Sequence, residues 1–225
     1  MEIIVKKKYY VLYLGVIFLM LDIMIKVLPF PAFEEFFTLA PETVDMVINH
    51  VVGDRMRLDV ASDFIGLILI FLGSSMFLKE WKENPVDDEY SKGKKQIHYR
   101  YFQRLKVYCI LAAIFYFWEK LMPFALNGNL RYRLGYGDYF VYLIFEAIVL
   151  VNTFLCSLGA LDEMKIHTYN TVTIIFGLLS VMCYVVTKLC FFYDLTIPFW
   201  IYTFVSLGIM AFTFLRVELV FRHKV

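Results

Sequence analysis

The residues with most capacity for chemistry in this chain are charged groups set within or beside long apolar stretches. Asp22 and Lys26 stand four apart in the stretch 9–28, Asp63 opens 60–78, Glu119 and Lys120 adjoin near the end of 105–126, and Glu146 lies inside 139–158. An ionised side chain in apolar surroundings is costly unless it pairs, reaches water or holds a ligand. Asp22, Lys26, Asp63, Glu119, Lys120 and Glu146 are therefore candidates to line a polar pocket. The carboxylates would bind a cation or the cationic part of a solute, and the lysines would tune them or hold an anionic part.

Two positions sharpen that expectation. Asp22 and Lys26, at i and i+4 of a helix, would share a face and neutralise one another. Glu146 is seven residues into its stretch, roughly 10 Å along a helix, too deep for a short side chain to escape. Lys26 or Lys120 is its expected partner. The plainer alternative is that Lys26, Lys120 and Lys188 reach outward to lipid headgroups and the acids merely pair with them.

Motifs for other chemistry are missing. The chain has no HExxH, GxSxG or GxGxxG pattern and no phosphate-binding loop, so no catalytic residue and no cofactor is expected. His50, His98, His167 and His223 are dispersed, and Cys109, Cys156, Cys183 and Cys190 lack CxxC spacing. The histidines suggest no metal site, and the cysteines read as small packing residues. An enzyme working with carboxylates alone, such as Asp22 with Glu146, is the remaining catalytic alternative.

The elements that would position these groups follow from composition. Of the 225 residues 60% are hydrophobic and only 19% are charged, with a mean hydropathy of +0.65. Six apolar blocks, 9–28, 60–78, 105–126, 139–158, 172–192 and 197–215, each reach the length of about 20 residues that a membrane-spanning helix needs. The sequence thus predicts an all-α polytopic membrane protein, a compact six-helix transmembrane bundle in one domain. Most of the 22 Lys and Arg fall on the side of the N-terminus, the 79–104 connection and the C-terminus. That bias predicts a multi-pass protein of the cell membrane with both termini cytoplasmic. A short outer amphipathic helix is expected from Pro41 to Gly53, with Val44, Val47, Ile48, Val51 and Val52 as its apolar stripe. The similar runs that begin at Lys26, Lys120 and Lys188 suggest three helix hairpins of parallel topology. Close helix crossings are expected at Gly66 and Gly73, and also at Gly177 and Gly208.

The functional expectation is a transport-related membrane subunit with an outward-facing polar pocket for a small solute or ion. Membrane lipids, another membrane protein or a separate energising ATPase would be its partners. A net charge of +1 gives no footprint for nucleic acid. The alternative is a non-enzymatic interaction, regulatory or assembly protein.

Overall fold

The computed structural model describes residues 2–26, 48–52, 55–59, 63–83, 89–125, 128–163, 171–192 and 195–223. Among them are six helices: α1 (Glu2–Met20), α2 (Asp63–Glu83), α3 (Glu89–Ala125), α4 (Gly128–Glu163), α5 (Thr171–Phe192) and α6 (Thr196–His223). Three strands, β1 (Asp22–Lys26), β2 (Ile48–Val52) and β3 (Arg55–Asp59), lie between α1 and α2 in the chain. They form an antiparallel sheet in the order β1-β3-β2.

Helical spacing explains how the bundle closes. Tyr9, Leu12, Tyr13, Val16, Leu19 and Met20 are buried along one stripe of α1; Leu67, Ile70, Ser74 and Phe77 along one of α2; and Phe102, Leu105, Cys109, Ala112 and Tyr116 along one of α3. Steps of three and four residues keep such side chains on one face. The broadest interfaces join α1 to α2, α3 to α4 and α5 to α6, followed by α2 against α3. Polar side chains inside the helices mostly bond within their own turn. Ser74, Thr153, Thr187 and Thr203 each donate to the carbonyl four residues earlier, as does the Asn152 amide, so these groups are satisfied locally. Ser180 and Ser206 instead bond reciprocally across α5 and α6, each hydroxyl donating to the other residue's carbonyl at 2.8 and 3.2 Å.

Several expectations are corrected here. Among the described residues no helix is long and apolar enough to cross a membrane. This overturns the six transmembrane spans, the two-sided arrangement of connections built on them and the placement as a multi-pass cell-membrane protein. Mean hydropathy counts apolar side chains without knowing what they face, and many of these face another helix. Charged segments read as connections also belong to helices: Lys92, Lys94, Lys95, Arg100 and Arg104 lie within α3, and Arg131, Arg133 and Asp138 within α4. Lys6, Lys7 and Lys8, read as a tail, lie within α1, where Lys8 is buried with its ammonium 6.0 Å from the Phe77 ring centroid.

The first helix ends at Met20, and Asp22–Lys26 is a strand. At about 3.3 Å per residue the two ends of that strand stand roughly 13 Å apart along the backbone, which removes the expected helical pair. The amphipathic helix over 41–53 is also overturned where the structure describes it, because Ile48–Val52 pairs with β3; residues 41–47 lie outside the described residues. The β-branched Val51 and Val52 carried the missed signal.

Candidate functional site

α2, α4 and α5 bring Asp63, Glu146 and Lys188 into one buried cluster. Their residues are 0%, 0% and 1% exposed. Asp63 is the first residue of α2; Glu146 shares the inner stripe of α4 with Tyr142, Val149, Leu150 and Thr153, and Lys188 that of α5 with Ser180, Val181, Tyr184 and Thr187. The Lys188 ammonium is 3.5 Å from Glu146 Oε1 and 3.9 Å from Asp63 Oδ2. One cation is thus shared by carboxylates from two helices.

Two tyrosines complete the arrangement. The Tyr142 hydroxyl donates to Asp63 Oδ2 at 3.0 Å. The Tyr184 hydroxyl is 2.6 Å from Glu146 Oε1 and also 2.6 Å from the Leu19 carbonyl at the end of α1. The Lys188 ammonium lies 4.9 Å from the Tyr184 ring centroid, adding a cation–π contact. A polar chain therefore runs from the Leu19 carbonyl through Tyr184, Glu146, Lys188 and Asp63 to Tyr142. Aromatic rings flank one end, with Tyr116 in edge contact with Tyr142 at 5.6 Å and stacked on Phe64 at 6.2 Å.

The short contacts at Tyr184 constrain protons. A phenol carries one proton, and a backbone carbonyl only accepts. Two full hydrogen bonds at 2.6 Å form when Tyr184 donates to the Leu19 carbonyl and a protonated Glu146 donates to Tyr184. With Glu146 ionised, both oxygens compete for the one phenolic proton. The geometry therefore links the proton on Glu146 to the partner chosen by Tyr184.

Of the six sequence candidates, Asp63 and Glu146 come together. Asp22 and Lys26 are on β1, in register with Asp59 and Arg55, and Glu119 and Lys120 are on α3; the side chains of these four lie outside the described residues. Among the described residues the cation beside Glu146 is Lys188; the expected pairing with Lys26 or Lys120 falls on side chains outside the described residues. Lys188 is buried rather than reaching outward, because its helix turns it onto the same face as Ser180, Tyr184 and Thr187. That polar spacing, at steps of four, three and one, was the available signal. Tyr142 and Tyr184 left none, since they are two of 16 tyrosines.

The thiols are not part of the centre. Cys109, Cys156, Cys183 and Cys190 are buried and free. Burial pushes Cys109 and Cys156 up to about 12, with Cys156 adding to the shift on Cys109; this favours unreactive thiols. No group of three or more His, Cys, Asp and Glu that could hold a metal ion occurs among the described residues. Compared with protein-family models, curated proteins and solved structures, the chain matches none.

Proposed function

We propose that the chain is an ion-handling, transport-related subunit whose buried Asp63–Lys188–Glu146 centre takes up and releases a proton. The observation that supports this most is the sharing of Lys188 by two carboxylates, at 3.5 and 3.9 Å, from helices distant in sequence. Protonating Glu146 weakens its attraction for the ammonium, which then turns to Asp63. Losing that proton restores the competition. The gain or loss of one proton in a water-poor site alters the forces between α2, α4 and α5. Since the sequence has no nucleotide-binding loop motif, work would be drawn from a separate ATPase partner.

The test is the infrared absorption of protonated carboxyl groups in the full-length protein, followed from alkaline to acidic pH. A buried carboxyl band should appear on acidification and be lost in Glu146→Gln, whose amide keeps the shape and bonding capacity of the acid. The same band undiminished in Glu146→Gln would overturn the assignment of the proton to this residue, and no band in wild type would overturn the proton-handling reading.

A second reading, an interaction or assembly protein, is favoured by the outward side chains. Ile197 and Phe204 of α6 are 75% and 68% exposed, and Ile144 and Met182 are exposed on α4 and α5. Large apolar surfaces of this kind commonly mark contact sites. Light scattering of the purified chain with and without polar substitutions at Ile197 and Phe204 tests whether that face associates with protein.

A further inference from the structure

The groove between α2 and α3 has a different chemistry from the buried centre. It is open, has a volume of about 850 Å³, and is lined by Phe71, Leu78, Lys79 and Lys82 from α2 and by residues from Tyr99 to Ile110 of α3. A volume of that size falls within the span of roughly 300–1,000 Å³ common for small-molecule sites. The two helices run antiparallel, as three contacts establish: Phe64 meets Phe117, Lys106 meets Phe71, and Phe77 meets Phe102.

Antiparallel packing grades the groove from charged to apolar. Lys79 and Lys82, near the end of α2, lie opposite the segment of α3 that carries Arg100 and Arg104. Phe71, further back on α2, lies opposite the segment with Val107 and Ile110. Steps of four and three along α3, from Arg100 to Arg104 to Val107, keep the charged and apolar parts in one row. Lys106 lies between the two ends, its ammonium 4.5 Å from the Phe71 ring centroid. Among the described residues the lining has five cationic side chains and no acidic one.

We propose that this groove binds a phosphate-headed amphiphile. Lys79, Lys82, Arg100 and Arg104 hold the head, and Phe71, Val107 and Ile110 cover the start of its alkyl chain. Arginine forks match phosphate oxygens in pairs, and lysine adds mobile charge. The apolar end gives a chain-bearing ligand an advantage over free phosphate, and the cations give it an advantage over a neutral amphiphile of the same chain. The site is separate from the buried centre, so this proposal stands whether or not that centre handles a proton.

The test is equilibrium dialysis of the full-length protein against dodecyl phosphate held below its micelle-forming concentration. Inorganic phosphate and a neutral dodecyl glycoside serve as the other arms. Saturable binding of dodecyl phosphate is expected, with both other ligands at least about tenfold weaker, a difference of about 1.4 kcal/mol. The Arg100→Gln/Arg104→Gln variant should lose about tenfold in affinity, and Ile110→Ser should weaken dodecyl phosphate while leaving inorganic phosphate unchanged. Arg100, Arg104 and Ile110 are exposed, so circular dichroism melting should match wild type. Equal affinity for inorganic phosphate would make this a free-phosphate site and overturn the amphiphile. Equal affinity for the neutral glycoside, unchanged binding in the double variant or no saturable binding would overturn the proposal.

Discussion

The α1–α2 seam and the Asp63–Lys188–Glu146 centre meet within one turn of α2, yet they hold helices by opposite means. At the seam, a Cβ added to Gly66 would come within 2.9 Å of the Gly15 carbonyl oxygen and 3.0 Å of the Leu19 backbone nitrogen. At Gly73 the nearest obstacle is the Leu12 side chain, at 2.8 Å. The seam therefore limits volume and is indifferent to charge. Three residues before Gly66, Asp63 enters the centre, where the space is filled by large side chains and the limit is the balance of charge. A nearly isosteric change at the centre can thus be more damaging than a larger change of shape at a peripheral helix surface.

The largest effect should follow from removing the shared cation. Lys188→Met keeps most of the side-chain length but leaves two buried carboxylates without their ammonium. A loss of about 3–5 kcal/mol is expected, measured by denaturant unfolding of the full-length protein. Adding Glu146→Gln and Asp63→Asn to Lys188→Met should recover a large part of the loss. If the triple variant is no better than Lys188→Met alone, packing rather than charge dominates the centre, and the contrast with the seam fails.

At the seam, Gly66→Leu should cost about 1–3 kcal/mol or more through overpacking, because backbone atoms of α1 cannot rotate aside. Gly208→Leu provides the counterpart. Among the described residues nothing lies within 4 Å of a Cβ at Gly208, so its melting transition should change by the equivalent of about 0.5 kcal/mol or less. This corrects the expected close crossing at Gly208, whereas Gly177 does face the Phe154 ring. Equal destabilisation by the two leucine substitutions would show that the seam is not the specific constraint.

The smallest effect at neutral pH should come from the thiols. Cys109 and Cys156 hold their protons in the fold up to about 12, above the ordinary thiol range. Where the unfolded chain has shed these protons and the folded chain has not, the native state binds more protons. Stability contributed by the raised values is therefore present below the ordinary range and lost as pH climbs through it toward about 12. Iodoacetamide at mildly alkaline pH should leave both residues unmodified until denaturant is added. Rapid labelling of the folded protein would show that this part of the core opens readily.

Local structure was largely legible from residue order. The stretch 172–192 was expected as a helix and Thr171–Phe192 forms one, because an uninterrupted run with helical spacing needs no distant partner to declare itself. Boundaries failed where polar helix formers continued an apolar block. Lys, Arg and Glu sustain a helix nearly as well as Leu does, so α3 starts at Glu89 and α4 at Gly128, well before their apolar parts. The β2–β3 pair was obscured because valine and isoleucine suit both a buried helix stripe and a strand.

By itself, the sequence determined which side chains could not lie idle in apolar surroundings, and Asp63 and Glu146 were among them. Only the tertiary structure decided that their common cation is Lys188, that Tyr184 links Glu146 to α1, and that many apolar side chains turn toward other helices. Helix formation depends on neighbours a few residues apart, which a linear reading contains. Pairing an ammonium with two carboxylates depends on the rotation and axial offset of three packed helices. Those quantities are set by the sum of many contacts, including the close approach of Gly15 and Gly66, and no local spacing encodes them.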